Sequence, residues 1–480
     1  MERTDPVPAP VPRPRKTIPM VVASEGSGLY MAHQKVYPRH VDGPFARMRW
    51  WMVLATQLVF YGVPWLEWGQ RQSVLFDLGA RRFYLFGLVL YPQDLIYLTG
   101  LLVVSALSLF LFTAVAGRLW CGYTCPQTVY TEIFMWVEQK IEGNRIARMR
   151  LDGEALSLEK LVKKWFKHLV WLGIAMWTGF SFVGYFTPIR ELGMEFLQTR
   201  MGSWEVFWVF FYGFATYGNA GFMREQVCKY MCPYARFQGA MFDRDTLIVS
   251  YDPQRGEPRG LASKDQAGGS SFGDCIDCDL CVQVCPTGID IRNGSQYECI
   301  GCGLCVDACN TVMQRVKKPA GLIRYATQNS MAGGWPARQM WARVVRPRVL
   351  IYSAVLLALC VALLASLVVR TPLKVDVVRD RASLAHLVEG GRLENVYRLQ
   401  IMNATERQQN YSVSAEGLNG LTVAPAEPVA VGAAESRWVA VRLQIPFEGT
   451  APGAHPIHFL VRSLDGAASV SEKATFVVPR

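Results

Sequence analysis

The chain has 480 residues, of which 51% are hydrophobic, and it carries 14 tryptophans and a formal net charge of +11. This length allows several domains, and the apolar fraction argues against a purely water-soluble protein. The charge resides in the first 370 residues, because the remainder has eleven basic and eleven acidic residues. Basic tracts beside apolar segments indicate membrane topology and contact with anionic lipids, so we expect no nucleic-acid partner.

The first 46 residues predict a disordered cytoplasmic tail. Six prolines fall within the first 20 residues, and no long apolar stretch precedes the first candidate span. These features differ from those of a signal peptide.

Five segments are long enough to cross a bilayer, which takes about 20 residues each. They are Arg49–Gly69, Leu95–Gly117, His168–Pro188, Trp204–Phe222 and Val349–Val369. The first four lie in a predicted membrane domain of residues 47–250, and the fifth is a helix over 349–369. The apolar segment Gln72–Tyr91 is interrupted by charged residues and glycine. We expect it to be an interfacial or re-entrant element rather than a sixth span.

The basic residues predict the orientation of these spans. Nine Lys or Arg lie between Arg118 and Lys167, and a basic juxtamembrane segment over 311–348 has eight and no acidic residue. The loops 70–94 and 189–203 have few Lys or Arg residues. The positive-inside rule therefore places the basic segments on the cytoplasmic side of a bacterial inner membrane, and residues 371–480 in the periplasm.

Two segments between these parts have distinctive sequences. Thr131–Arg150 has apolar residues at helical spacing and predicts one amphipathic helix, lying on the membrane or on a neighbouring domain. Residues 251–274 are rich in Gly, Ser, Pro and charge, and predict a linker.

Eight cysteines within residues 275–310 form two runs with the spacing C-x2-C-x2-C-x3-C. This spacing is typical of a bacterial ferredoxin domain with two [4Fe–4S] clusters, in which the fourth cysteine of each run ligates the other cluster. The alternative is a pair of zinc ribbons, which use separated C-x2-C pairs. The predicted ligands are Cys275, Cys278, Cys281 and Cys309 for the first cluster, and Cys299, Cys302, Cys305 and Cys285 for the second. Electron transfer is therefore the leading function.

Two further pairs share the spacing C-x3-C-P, namely Cys121 with Cys125 and Cys228 with Cys232. Residues four apart share a helix face, and both pairs follow spans that run inward, so the four thiols are expected to converge at the cytoplasmic membrane edge. Soft sulfur ligands select Cu(I), zinc or iron–sulfur clusters. We therefore predict a metal or redox site at these four thiols. The alternative is that these are two pairs of inert thiols. We interpret the lone Cys360, in the fifth predicted span, as an inert packing residue.

Residues 371–480 predict an immunoglobulin-like β-sandwich, because several Val-, Tyr- and Leu-rich segments are separated by Gly, Pro and Asn turns. The predicted strands are Asn395–Asn403, Gln409–Ser414, Trp438–Ile445, His455–Val461 and Ala474–Val478. His455 and His458 would point to opposite faces and are interpreted as unliganded. The predicted fold is a multi-domain membrane protein, with an α-helical bundle of about five spans, an inserted two-[4Fe–4S] ferredoxin domain and this β-sandwich.

Three stretches together resemble the CcoG/FixG/RdxA family of cytochrome c oxidase accessory proteins. They are RLWCGYTCPQTVYTEIFMWVEQKIEG, CKYMCPYARFQGAMFDRDTLIVSYDPQRGEPRG and GDCIDCDLCVQVCPTGIDIRNGSQYECIGCGLCVDAC. The resemblance implies a cupric reductase that converts Cu(II) to Cu(I) for the maturation of a C-family (cbb-type) haem–copper oxidase. Copper-transport or oxidase-assembly proteins would be its partners.

Two other functions stay open. The C-x3-C-P pairs also occur in membrane ferredoxins such as NapH and NosR, which suggests a quinol-linked carrier that serves another acceptor. The chain is alternatively an assembly scaffold with structural clusters. No G-x-G-x-x-G follows a strand and no C-x-x-C-H is present, so the electron donor is expected to be external: a ferredoxin, a flavoprotein or a quinol.

Overall fold

The structure is a computed structural model that describes residues 35–260, 272–380, 385–388, 391–424, 426–447 and 450–479. Most of the predicted tail, residues 1–34, and the middle of the predicted linker, residues 261–271, lie outside the described residues.

The helices are α1 Pro44–Gly62, α2 Leu95–Ala116, α3 Leu119–Tyr123, α4 Pro126–Glu142, α5 Arg145–Gly153, α6 Leu158–Val183, α7 Ile189–Leu197, α8 Ser203–Thr216, α9 Pro233–Met241, α10 Pro253–Gly256, α11 Leu280–Gln283, α12 Leu304–Arg315, α13 Gln328–Gly333, α14 Ala337–Ala342 and α15 Pro347–Val369. The strands are β1 Glu67–Trp68, β2 Arg71–Gln72, β3 Val74–Asp77, β4 Arg82–Leu85, β5 Leu88–Leu90, β6 Ile248–Tyr251, β7 Ile323–Ala326, β8 Leu373–Arg379, β9 His386–Val388, β10 Arg392–Asn403, β11 Gln409–Glu416, β12 Thr422–Ala424, β13 Val429–Val431, β14 Ser436–Pro446, β15 Gly453–Ser463 and β16 Ser469–Val478.

The chain divides into two compact units. The first contains the described residues up to Tyr61, together with Ser105–Phe182 and Gly202–Leu356. The second contains Gly62–Val104, Val183–Met201 and Leu357–Arg480.

Two of the five predicted spans coincide with helical segments long and apolar enough to cross a bilayer, Pro92–Ala116 and Pro347–Val369. They are the ones that meet this condition within the part of the chain that the structure describes. The other three predicted spans fall on α1, on α6, and on α8 with the π-helical turns Tyr217–Met223 that follow it. The five-span bundle therefore stays a prediction for these three.

The predicted amphipathic helix over 131–150 is wrong in its continuity, because the chain breaks between α4 and α5. Gly143 has φ +92°, a conformation that favours glycine. The Asn144 side chain then accepts a hydrogen bond from the Ala147 N–H and caps the start of α5.

A buried ion network joins α4 to its neighbours in the first unit. The fully buried Glu138 carboxylate lies 3.1 Å from Arg148 and 3.0 Å from Arg224. Burial alone would raise the pKa of Glu138, but Arg224 and the other nearby cations hold the pKa below its usual value. Lys167 lies 2.9 Å from Glu142, one helical turn further along. Removing one partner would leave an uncompensated buried charge, so this network fixes the packing of α4, α5 and α6.

Along the chain, the cysteine runs lie between β6 and β7, which pair as a two-stranded antiparallel sheet. β6 precedes both runs and β7 follows them, so the folded cluster region extends beyond residues 275–310 on both sides. Its apolar core includes Val249, Ile291, Met313 and Ile323. Residues 35–43 also pack on it, because the Arg39 N–H donates to the Gln283 carbonyl. The predicted tail therefore ends earlier than residue 46.

The second unit contains the predicted immunoglobulin-like β-sandwich. One sheet has the order β12-β14-β10-β8 with β9 paired to β10, and the other has the order β13-β11-β15-β16. Alternating residues of both sheets form the core, including the fully buried Tyr397, Phe459 and Phe476. The five predicted strands are present, each extended at one or both ends. β8, β9, β12 and β13 were not predicted.

The segment Gln72–Tyr91 contains the three-stranded antiparallel sheet β3-β4-β5, and does not form a helical span. Its buried side chains share one apolar cluster with residues of the β-sandwich: Leu75, Tyr84, Val89, Tyr91, Met402, Ala404 and Ala434. The Tyr91 hydroxyl donates to the Asn403 carbonyl at 3.0 Å. The segment is therefore an extension of the carboxyl-terminal domain.

Asp94 ties the beginning of α2 to the end of α15. Its side chain is 1% exposed and lies 2.6 Å from Arg370 and 3.2 Å from Lys374. The same carboxylate accepts from the Tyr91 N–H. Both apolar helices are thus fixed to one buried carboxylate at this end.

Candidate metal centre

The four cysteines predicted to ligate a first cluster line one cavity in the first unit. Cys275, Cys278, Cys281 and Cys309 surround it, together with apolar side chains such as Tyr251 and Met313. Cys309 comes from the second run, so the fold brings it across to the first. Cys278 is exposed, whereas Cys275 and Cys281 are buried.

A second cavity is lined by Cys285, Cys299, Cys302 and Cys305. Here Cys285 comes from the first run, which mirrors the exchange in the first cavity. Cys281 lines both cavities, so the two adjoin. Burial raises the pKa of the Cys299 thiol to about 12 and that of Cys302 to about 11. Thiolates therefore form here when bound metal supplies positive charge.

The donor set fits iron–sulfur clusters better than zinc. Among the residues that the structure describes, no three His, Cys, Asp or Glu side chains converge tightly enough to hold one metal ion. A tetrahedral zinc site needs such convergence. In a cubane, each thiolate binds a different iron, so its four ligands stand further apart.

The two runs repeat one backbone conformation in two different settings. Asp277 and Asp279 have φ of +54° and +55°, and the matching Gly301 and Gly303 have +65° and +75°. In the second run a Cβ at Gly303 would lie 2.9 Å from the Phe45 ring, so glycine is required. In the first run the two aspartate side chains are more than half exposed, so a side chain fits at these two positions.

Sequence reasoning missed Arg292, which clamps the loop of the first run. Its guanidinium lies 2.5 Å from Asp277, 2.6 Å from Asp279 and 2.7 Å from Asp290. Burial would raise the pKa of Asp290, but hydrogen bonds from Arg292 lower it below its usual value. Arg292 also lines the first cavity. The two aspartates stand where the second run has glycine, but nothing in the sequence pairs them with Arg292.

The prediction that each C-x3-C-P pair lies on a single helix is wrong. Cys121 lies in α3, but Cys125 is extended and precedes α4, with Pro126 at its first position. Cys228 lies in the π-helical turns Val227–Met231, and Cys232 precedes α9 in the same way. The proline explains this, because it begins a new helix and disfavours helical geometry in the residue before it.

The four thiols nevertheless lie near one another. Burial, followed by the charges of Cys125, Cys121 and Cys232, raises the pKa of the Cys228 thiol to about 12. The Cys121 thiol donates to Gln238 Oε1 at 3.4 Å, and this glutamine is fully buried. The two pairs thus converge in one region, where they do not form a preorganised site for a single ion.

The C-x3-C-P region packs directly on the second cavity. A Cβ at Gly122 would lie 2.8 Å from the Ile300 carbonyl oxygen and 2.9 Å from the Cys302 Cα. The Tyr123 hydroxyl donates to the Cys302 carbonyl at 3.0 Å. Cys121 and Cys228 share an apolar cluster with Cys302 and Cys305. The C-x3-C-P thiols Cys121 and Cys228 and the thiols of the second cavity are therefore packed in one apolar cluster.

Arg118 connects the second run to both C-x3-C-P regions. It precedes α3, and its guanidinium donates to the Ala235 carbonyl at 2.6 Å and to the Cys299 carbonyl at 3.4 Å. Ala235 lies in the first turn of α9, three residues after Cys232. The positions of the three segments are thus coupled through one buried side chain.

Three segments match known protein families. Residues 223–328 match a "4Fe-4S dicluster domain", and residues 98–144 match a "4Fe-4S binding domain". Residues 363–479 match the family described as "IG-like fold at C-terminal of FixG". The first two matches include the eight cysteines of the two runs and the four cysteines of the C-x3-C-P pairs.

Similar proteins cover most of the chain. The "Nitrogen fixation protein FixG" of Rhizobium meliloti is 39% identical over an alignment of 427 residues, and the match covers 82% of this chain and 82% of that protein. "Protein RdxB" of Cereibacter sphaeroides is 38% identical and covers 86% of this chain and 89% of its own length. "Protein RdxA" of the same organism is 37% identical, with 82% and 84% covered.

Proposed function

Because the chain belongs to the FixG/RdxA family of iron–sulfur proteins, we propose that it is a membrane electron carrier that reduces Cu(II) to Cu(I). The reduction takes place at or near the four C-x3-C-P thiols. It supplies copper for the assembly of a C-family haem–copper oxidase. The neighbourhood of Gly122 carries the proposal, because there the thiol region and the second cluster cavity meet backbone to backbone.

We assign the eight cysteines of the two runs as ligands of two [4Fe–4S] clusters, in the crossed arrangement of the two cavities. When bound, such clusters accept and release single electrons. The residues of the chain position them and exclude water. Val249, Ile289 and Ile291 form apolar walls of the second cavity, and Tyr123 and Arg118 hold its loop against the thiols.

Copper is the substrate in this proposal. Each Cu(II) takes up one electron, and thiolate sulfur favours the Cu(I) product. The thiols at Cys121 and Cys228 share the apolar cluster of the second cavity, so the electron has a short way to travel.

A further cluster at the same four thiols is a second candidate. It is favoured by the match of residues 98–144, which include Cys121 and Cys125, to a 4Fe-4S binding domain. In that case copper would receive its electron from this cluster.

The proposed orientation has the clusters in the cytoplasm and residues 371–480 in the periplasm of a bacterial inner membrane. The division of the chain supports it. Residues 70–94 and nearly all of 189–203, which are poor in basic residues, fold in the unit of the β-sandwich. The basic segments 118–167 and 311–348 fold in the other unit. A reporter fused after Arg480 should be active in the periplasm alone, and cytoplasmic activity would refute the odd number of spans.

Anaerobic titration tests the function. Purified protein is reduced with dithionite, freed of excess reductant and mixed with Cu(II), and its visible absorbance is followed. We expect reoxidation with one Cu(I) formed per electron. Cys121→Ala and Cys228→Ala should slow it strongly, while the control Cys360→Ala should not. Wild-type rates in both thiol variants would refute the role of the C-x3-C-P region.

A further inference from the structure

Two neighbouring cavities in the first unit share the lining residues His40, Val41, Ala46 and Trp50. The outer cavity has a volume of about 180 Å³. The inner cavity has a volume of about 50 Å³ and is also lined by Trp136. We call these two cavities together the tryptophan groove.

The inner end of the tryptophan groove lies against residues next to ligands of the second cluster cavity. It is lined by Val284 and Pro286, which flank the ligand Cys285, and by Leu304, which precedes Cys305. Val41 and Ala46 pack in the apolar cluster that contains Cys302 and Cys305. A molecule in the groove would therefore be separated from the second cluster by little more than one layer of side chains.

The outer end opens on a face of α1 that is apolar and uncovered. Trp51 and Leu54 line the outer cavity, and they are 73% and 58% exposed. Leu58, one turn further along, is 75% exposed. These positions lie three or four residues apart and therefore share one face of the helix. α1 carries the first predicted span, so lipid would cover this face and a membrane-dissolved ligand could enter from it.

The lining suits a flat ring that carries polar groups. The rings of Trp50 and Trp136 meet at 68° with centroids 6.1 Å apart, which forms an aromatic corner. Polar side chains complete the wall, among them His40, Glu132 and Gln139. Glu132 is held in place by the buried Arg49 at 3.0 Å. Apolar walls with a few fixed polar groups are typical of small-molecule sites.

We propose that the tryptophan groove binds a membrane quinol, and that this quinol is the electron donor of the protein. Oxidation breaks the two O–H bonds of the quinol and yields a quinone, two electrons and two protons. The electrons are taken up one by each cluster, and the protons leave through His40, whose side chain is 49% exposed to solvent. The inference rests on the proposed function only in that the clusters must pass these electrons onward.

Decylubiquinol is the probe that tests the proposal. It is mixed anaerobically with the oxidised full-length protein in detergent, and bleaching of the visible cluster absorbance is recorded. Binding of the oxidised form, decylubiquinone, is measured separately by quenching of tryptophan fluorescence. We expect reduction of the clusters with one quinol per two electrons.

The variant Trp50→Leu/Trp136→Leu should weaken decylubiquinone binding and slow reduction by decylubiquinol about tenfold, since it removes both ring contacts. Its reduction by dithionite should be unchanged. Trp165→Leu is the matched control, because Trp165 is 65% exposed and lies outside the groove. His40→Gln should slow quinol oxidation alone, and it keeps the test decisive if the double variant does not assemble.

Three results would overturn the proposal. The first is wild-type protein that decylubiquinol does not reduce, although dithionite reduces it and Cu(II) reoxidises it. That result would leave the proposed function intact. The second is equal quinol reduction rates in the groove variants and Trp165→Leu. The third is a tightly bound phospholipid, found by mass spectrometry, that decylubiquinone does not displace. Quinol reduction without reoxidation by Cu(II) would instead refute copper as the acceptor.

Discussion

Replacing Gly122 by alanine should separate the C-x3-C-P region from the second cluster cavity. The added Cβ would lie 2.8 Å from the Ile300 oxygen, 2.9 Å from the Cys302 Cα and 3.0 Å from the Gly301 oxygen. Alanine in a helix is favoured over glycine by about 1 kcal/mol. Overpacking costs about 1–3 kcal/mol, and the upper part of that range applies because backbone atoms cannot rotate away. We expect a net destabilisation of about 1–2 kcal/mol.

The assay is anaerobic thermal denaturation followed by visible absorbance, with electron paramagnetic resonance of the reduced protein before heating. A loss of about 1.4 kcal/mol shifts the equilibrium tenfold, so the cluster signal should disappear at a lower temperature in Gly122→Ala. Reoxidation by Cu(II) should slow as well. Gly239→Ala is the control, because no described residue outside the backbone of its own helix lies within 4 Å of the added Cβ at this helical glycine. If both variants melt and react like the wild type, the backbone contact at Gly122 does not link the two sites.

Three further outcomes are expected. Cys285→Ser should disturb the cluster of the second run, and Cys309→Ser that of the first, while Cys360→Ser disturbs neither; resonance spectra that show the opposite assignment would refute the crossed ligation. Chemical analysis of anaerobically purified protein should give about eight iron atoms per chain, or about twelve if the C-x3-C-P thiols hold a further cluster, and stoichiometric zinc without sulfide would contradict both. Asp94→Asn should destabilise the protein by about 3 kcal/mol, because Arg370 would become an unpaired buried charge; an unchanged melting temperature would show that the pair is dispensable.

The spacing of the cysteines predicted which of them would line each cavity, because short gaps restrict a loop whatever surrounds it. The immunoglobulin-like domain was also predictable, since most of its long strands are rich in Val, Tyr and Leu and are separated by Gly, Pro and Asn turns. Its short strands β9, β12 and β13 have three residues each, too few for a periodic pattern. The break at Gly143 and Asn144 had readable signals, a glycine followed by a capping residue. The apolar periodicity of this segment does not by itself show where α4 ends.

Other features depend on contacts between distant residues and have no local signal. Arg292 meets Asp277 from 15 positions away, and nothing in either segment alone announces the pairing. The tryptophan groove joins Trp50, Trp136 and Pro286, which come from three separate parts of the chain. Gly122 looks like an ordinary small residue until the loop of Ile300 is seen against it.

The apolar cluster shared by the β3-β4-β5 sheet and the β-sandwich means that the carboxyl-terminal domain is not a module that can be cut out at residue 371. A soluble fragment beginning there would expose Met402, Ala404 and Ala434 to water, because Leu75, Tyr84 and Val89 cover them in the full chain. The fragment would also lose the Tyr91 hydroxyl from the Asn403 carbonyl. Fragments intended for partner screening should therefore carry residues 70–94 as a fused segment, or a sticky artificial surface will be mistaken for a binding site.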